Sequence, residues 1–333
     1  MIILDSGTHL VMGIALGGLA MVDPVVAGSS STSMAVITSV IIGSQAPDID
    51  TVLKLRSNAI YIRHHRGITH SIPAVLLWPI LISSVFFLVF PHTNFLHLWL
   101  WTFLAVFLHV FVDIFNAYGT QALRPFSKRW VALGWINTFD PIIFALHVIA
   151  LMFWAFGADP VPTMFSLYSV VFIYYVVRFF LQRSVKKAVH NTIPDAKRII
   201  LSPTSRFFQY RVAANSATHH YVGRAYGRSI TIYDKFKIEP LPDTPLFHKV
   251  LEDPNFKTFV SFSPLYRWEV NQLGDGKTEV RLIDLRYRSN NYYPFVAIAH
   301  LTKDLTIVKS FTGWIFSEDK LQKKLVVKSE GIR

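Results

Sequence analysis

Long apolar runs constrain this chain more than any other feature. "SIPAVLLWPILISSVFFLVF" (71–90) and "FLHLWLWTFLAVFLHVFVDIF" (95–115) each reach the length a helix needs to cross hydrocarbon. "PIIFALHVIALMFWAFG" (141–157) and "TMFSLYSVVFIYYVVRFFL" (163–181) are two further candidates. "LVMGIALGGLAMV" (10–22) and "MAVITSVIIGSQA" (34–46) are shorter and rich in small residues, as in tilted or closely packed helices. The spacing predicts about six spans. A mean hydropathy of +0.36 with 16% charged residues is too apolar for an ordinary soluble enzyme. The start carries no basic n-region or small-residue cleavage site, so no removable signal peptide is expected.

Lys and Arg in short loops set the orientation. One set of connections holds Lys54, Arg56, Arg63, Arg66, Arg124, Lys128, Arg129, Arg183, Lys186, Lys187, Lys197 and Arg198. The other set, 23–33, 91–94 and 158–162, holds neither residue type. Both termini are therefore expected in the cytosol. The formal charge of +12 then implies attraction to anionic membrane lipids; no nucleic-acid partner is expected. The absence of cysteine leaves His, Asp and Glu as the metal donors.

Beyond Pro194 the composition changes. Short β-prone runs such as "RFFQYRVAA", "YVGRAYGRSITIYD", "TFVSFSPLYRWEV" and "EVRLIDLRYR" alternate with turns, and Gly274, Asp275 and Gly276 mark a hairpin. The expected architecture is mostly α. A polytopic transmembrane helical bundle (1–182) leads through a basic linker (183–198) to a smaller cytosolic β-rich domain (199–333), a sandwich or barrel, whose protein partner is unknown.

The ionisable residues of the membrane half fall on one level. His9 precedes the first run. Asp48 and Asp50 stand in "APDIDTV", where an extended Asp-x-Asp would put both carboxylates on one side. His64, His65 and His70 fill "RHHRGITHS". His109 and Asp113 are four apart on a helix face that Asn116 extends. Asp140 opens the next run in "NTFDP". All these positions lie at the expected cytoplasmic face. Charged groups near hydrocarbon are costly unless paired or metal-bound. Imidazole and carboxylate without sulfur suit zinc, with manganese or iron as alternatives. The donors exceed what one tetrahedral ion needs, so two ions are expected in preference to one, within a range of about one to three. Arg63 and Arg66 could clamp an anionic, phosphate-containing substrate. His64 is either a ligand or a neighbour of His65. Asp140 is either a helix cap before Pro141 or a ligand or base. His147 reads as a packed core residue, His92 and His97 as interfacial, and His219 and His220 as a surface pair.

"THLVMGIALGG", "GSQAPDID", "HHRGITHS" and "FLHVFVDIFNAYGT" together resemble the membrane-bound, metal-dependent hydrolases of the YbcI/YdjM type, also described as LexA-binding, inner-membrane-associated hydrolases. The resemblance covers about residues 1–180. It implies a helical, phospholipase C-like metal site in a bacterial cytoplasmic membrane. It marks His9, Asp48, Asp50, His65, His70, His109 and Asp113 as ligands, and it supplies neither a substrate nor a role for the β-rich tail. The expected function is a metal-dependent hydrolase working at the cytoplasmic leaflet on a phosphoester or lipid-linked substrate. Asp50, His70, Asp140 and Arg66 are its catalytic candidates. The alternatives are a metal or ion transporter, whose sites usually lie nearer the midplane, and a regulatory anchor with a structural metal.

Overall fold

The computed structural model describes residues 2–316 except Asp275 and Asn290, and the side chains from Ser6 onward. Asp275 of the expected hairpin, and the end of the tail beyond 316, lie outside the described residues. The chain divides into two compact units. One holds residues through Thr51 together with 65–184 and 202–207; the other holds 52–64, 185–201 and the chain from 208 onward.

The first unit is helical. Its elements are α1 (Ile2–Leu19), α2 (Pro24–Ala27), α3 (Ser30–Gly43), α5 (Ile72–Val89), α6 (Phe95–Asp113), α7 (Pro141–Ala155) and most of α8 (Pro160–Thr192). The intervening α4 (Asn58–His64) belongs to the second unit. Several starts are fixed by side chains that accept from the first-turn amides, Asp23 at α2 and Asp159 at α8 among them. Ser29 caps α3, Ser71 caps α5, Asn94 caps α6 and Asp140 caps α7. Three helices, α5, α6 and α8, are long and apolar enough to cross a membrane. Along α5, Leu76, Leu77, Ile80, Leu81, Val85 and Leu88 stay exposed, the pattern of a helix solvated by lipid. At 14 and 15 residues, α3 and α7 would extend only about 21–23 Å, short of a ~30 Å hydrocarbon core.

Close helix packing positions the polar residues. Gly13 of α1 meets α3 so tightly that a Cβ there would lie 2.3 Å from Ser44 Oγ. Gly43 of α3 packs on Thr102 of α6, whose hydroxyl bonds Ser39 at 2.9 Å. Small residues at these crossings let the backbones approach. Leu16, Ala20, Val36, Val40, Leu98 and Ala105 form the apolar core beneath them. On α6 the buried stripe is Leu98, Thr102, Ala105, His109 and Asp113, while Trp99, Phe103, Phe107, Phe111 and Phe115 form a continuous ring ladder on another face.

α8 carries on into the basic stretch that follows residue 182. That stretch is helical to Thr192. The fall in hydropathy after Leu181 marks where apolar residues stop, whereas Arg183, Lys186 and Lys187 are good helix formers, and no proline intervenes before Pro194.

The second unit carries two four-stranded sheets, ordered β1-β2-β3-β4 and β5-β6-β7-β8. The strands are β1 (Arg198–Pro203), β2 (Gln209–Asn215), β3 (His219–Tyr226), β4 (Ser229–Lys237), β5 (Tyr266–Gln272), β6 (Thr278–Asp284), β7 (Phe295–Leu301) and β8 (Ile307–Trp314). Between the sheets run α9 (Pro245–Glu252) and α10 (Pro254–Phe262). Phe259 of α10 stacks on Phe295 of β7 at 5.5 Å, so this half is helix on sheet, not the sandwich or barrel expected. "TFVSF", read as strand, is the end of α10. Thr244 before Pro245 and Asp253 before Pro254 cap the two helices and override the local β propensity. α4 joins this unit through Asn58, whose amide nitrogen donates to Thr312 O on β8 at 2.5 Å.

Candidate metal centre

After α3 the chain enters a 3-10 stretch, Ala46–Leu55, that carries Asp48 and Asp50. This replaces the extended geometry expected of Asp-x-Asp. At about three residues per turn, positions two apart point in different directions. Asp48 therefore turns toward α1 and α6, and Asp50 toward the turn that follows α4.

That turn is built around Asp50. Arg66 takes a left-handed conformation, φ 58°, and its amide donates to Asp50 Oδ2 at 2.9 Å. Thr69 Oγ1 donates to the same oxygen at 2.7 Å, and His65 Nδ1 lies 2.7 Å from Asp50 Oδ1. The turn thus delivers His70, fully buried, to the ends of α1 and α6. His9 sits two turns into α1 rather than at its start, and its ring stacks on His109 with centroids 3.7 Å apart.

The donor atoms converge. His70 Nε2 lies 3.3 Å from Asp113 Oδ2 and 3.7 Å from Asp48 Oδ1. His109 Nε2 lies 3.6 Å from Asp48 Oδ1 and 3.8 Å from Asp113 Oδ2. His9 Nε2 lies 3.5 Å from Asp113 Oδ1. His9 Nε2, Asp48 Oδ1, His70 Nε2, His109 Nε2 and Asp113 Oδ2 are all buried without a hydrogen-bond partner among the described residues. Unsatisfied buried groups cost about 1–3 kcal/mol each, so five at one place demand an explanation. The separations exceed ordinary hydrogen bonds, yet they match the ~3.4 Å edge of a tetrahedron with metal–ligand bonds of about 2.1 Å. Two of the remaining ring nitrogens are anchored, and His9 Nδ1 is buried without a partner among the described residues: His109 Nδ1 donates to Ser44 O at 2.6 Å, and His70 Nδ1 lies 3.1 Å from Thr69 Oγ1. An Nδ1–H bonded to a carbonyl leaves Nε2 with its lone pair presented, as in metal-ligating histidines.

The carboxylates near the cluster are held ionised. Burial raises the Asp48 carboxyl, but the positive charge of the neighbouring imidazoles, His109 first, outweighs it and holds Asp48 well below the usual carboxylate range. Burial likewise raises Asp50, and the His65 hydrogen bond and charge carry it below normal. Burial lowers His70 and prevails over the raising contact with Asp113. Ionised carboxylates and a neutral imidazole are the metal-binding forms.

Three overlapping groups could hold a metal ion: His9, Asp48 and His109; His70, His109 and Asp113; and Asp48, Asp50 and His65. Asp48 and His109 are each shared, which makes one continuous cluster. Arg66 does not face outward as a clamp. Its buried guanidinium pairs with Asp113 Oδ1 at 3.1 Å and reaches Gly119 O at 3.5 Å.

Other candidates stand apart from these groups. Asp140 caps α7 through Oδ1, and its Oδ2 accepts from Tyr174 Oη at 2.8 Å. His64 ends α4 in the second unit, with Arg63 exposed beside it. His147 is packed, with Nδ1 on Ile143 O at 2.8 Å. His97 pairs with Asp23 at 2.5 Å. Sequence reasoning missed Thr69 and the Ser44 carbonyl. Thr69 could have been singled out as a hydroxyl adjoining His70, but nothing in the sequence marks a backbone carbonyl.

A membrane-associated helical unit with a buried His/Asp cluster, followed by a β-rich unit, defines the class. Residues 4–185 match the YdjM inner membrane protein family, and the chain belongs to that family. Residues 194–236 match the YfhP middle domain, and 245–325 the YfhP C-terminal alpha/beta plait domain. The chain is 57% identical over 323 residues to "Uncharacterized protein YfhP" of Bacillus subtilis (strain 168), covering 97% of this chain and 98% of that protein. No solved structure matches.

Proposed function

We propose that this protein is a membrane-embedded, metal-dependent hydrolase acting at the cytoplasmic leaflet on a phosphoester or lipid-linked substrate. One observation carries the reading: five buried donor atoms without partners converge at separations that suit a coordinated ion. His9, Asp48, His70, His109 and Asp113 would hold a divalent ion, zinc by donor type. An ion held there supplies Lewis acidity toward a carbonyl or phosphoryl oxygen and eases deprotonation of water. Arg66 neutralises and orients Asp113. The Asp50–His65 pair, with His65 half-exposed, is the group placed to accept or return a proton. Asp140 holds the start of α7 and Tyr174, and so acts on the site through the scaffold.

The membrane arrangement belongs to the same proposal. In this reading the long helices α5, α6 and α8 cross the membrane and the shorter apolar helices α1, α3 and α7 complete six passes through a locally thinned bilayer, with both termini cytosolic and the cluster at the cytoplasmic level. A reporter at residue 160 should read outside the cytosol and one at 125 inside. The decisive experiment measures metal content of detergent-purified full-length protein beside Asp48→Ala and His70→Ala, with phosphodiesterase and lipid-hydrolysis assays on all three. Wild type should carry metal and activity, and both variants should lose them. A metal-free, inactive wild type that stays inactive after zinc, manganese or iron is added would sink the reading.

A further inference from the structure

Four arginines gather in the β-rich unit. Arg211, Arg224, Arg286 and Arg288 line one cleft together with Gly223 and Tyr233. Strand register brings the first two together: Arg211 is the cross-strand partner of Arg224 on β2 and β3. Like charges directly opposite destabilise a ladder, by up to about 1 kcal/mol. A bulge supplies the wall. Val222 pairs with Asp234 and Gly223 with Ile232, so Tyr233 is the extra residue. Arg288 lies over its ring at 4.6 Å and Arg224 at 5.9 Å. Gly223 permits the close approach of β3 to β4 at the bulge, since a Cβ there would meet Thr231 O at 2.3 Å.

Two of the arginines have carboxylates. Asp284 is gripped by Arg286 Nε at 3.1 and 3.0 Å, and Asp234 accepts from Arg288 Nε at 2.5 Å. Arg211 and Arg224 have no carboxylate partner among the described residues. The cleft therefore carries two cationic charges in excess. The cleft is small and partly open to solvent, so it does not enclose a ligand. Paired guanidinium groups at such an open site suit a single anionic group rather than an enclosed nucleoside. Guanidinium forks match phosphate oxygens bidentately, and a monoester phosphate carries close to two negative charges.

We propose that this cleft is a phosphate-binding site in which Arg211 and Arg224 hold a phosphate monoester or orthophosphate against Tyr233 and Arg288. The site is independent of the metal centre and of the activity proposed for it. The source of the group is either a soluble phosphate or the monoester phosphate of a lipid headgroup.

The full-length chain in detergent is titrated calorimetrically with orthophosphate, with short-chain phosphatidic acid below its micelle concentration, and with chloride at matched ionic strength. At least one phosphate should bind at a single site, about tenfold or more weakly in Arg211→Gln and Arg224→Gln. Arg211→Lys, which keeps the charge and loses the fork, should fall between. Binding of orthophosphate supports the site with a free anion as occupant, and binding of the lipid alone supports it with a headgroup. The proposal is overturned if neither phosphate binds, if chloride gives the same heat, or if the Gln variants bind like wild type. It is also overturned if His70→Ala abolishes phosphate binding while Arg211→Gln retains it, because the anion would then sit at the metal centre.

Discussion

The helical unit and the β-rich unit both concentrate charge, but in opposite senses. In the helical unit, carboxylate and imidazole lone pairs converge with little between them, an arrangement that could hold a cation. In the β-rich unit, Arg211 and Arg224 face each other across a ladder, an arrangement that could hold an anion. Burial separates the two. His70, His109 and Asp113 are all at most 2% exposed, so water cannot relieve their unsatisfied atoms. Arg211 and Arg224 are half-buried, and solvent screens part of their repulsion. The cationic ligand should therefore act as a structural necessity, and the anionic one as an optional occupant.

The strongest way to break that contrast is Asp113→Ala. It leaves the buried Arg66 guanidinium without this carboxylate and should cost about 3–5 kcal/mol, read as a large fall in melting temperature together with loss of metal. A stable, metal-replete variant would remove the centre's special standing.

Chelation and acid come next. Dialysis against a chelator should lower the melting temperature of the helical unit, and zinc should restore it, while phosphate affinity stays unchanged. The pH dependence has a definite sign. His70 has a lowered pKa, so the folded state binds its proton less readily than the unfolded chain. Its contribution is present above about 6.5 and is lost as pH falls below that. Asp48 and Asp50 are lowered too, and their contributions disappear only below about 4. Metal release on acidification should thus begin near pH 6, with a second loss of stability in the carboxylate range. A single release step confined to the range below pH 4 would contradict the assignment of histidine ligands.

A smaller effect of opposite sign belongs to the arginine cleft. Without phosphate, Arg224→Gln should stabilise the β-rich unit by roughly 0.2–1 kcal/mol, because a like-charge pair is relieved. Destabilisation in chemical denaturation would show that the guanidinium packs rather than waits for an anion. The smallest effect is expected of His64→Ala: metal content unchanged and stability within about 0.5 kcal/mol, since His64 is half-exposed and outside the metal-capable groups. Loss of metal in that variant would extend the centre beyond the helical unit.

Much of the centre was legible because its determinants are local or topological. Hydropathy located the helices, and the four-residue spacing set His109 and Asp113 on one face of α6. Asp140, read as a cap before Pro141 or a ligand, caps α7, whereas the caps at Ser29, Ser71 and Asn94 went unread although each adjoins the helix it starts. What was missed depends on residues distant in sequence. Asp50 is locked by the turn at 65–69, α4 packs through Asn58 on a strand more than two hundred residues later, and "TFVSF" is helical because Asp253 and Pro254 begin a helix ahead of it.

The sequence by itself determined the membrane character, the helix starts and the donor chemistry, because bilayer-length apolar runs, capping side chains and the absence of thiols are properties of neighbouring residues and composition. Only the tertiary structure decided which lone pairs remain unsatisfied, which carboxylate Arg66 neutralises, and that Arg211 faces Arg224. Those outcomes rest on helix crossings at Gly13 and Gly43 and on strand register and a bulge at Tyr233, where a shift of one residue turns a side chain to the opposite face.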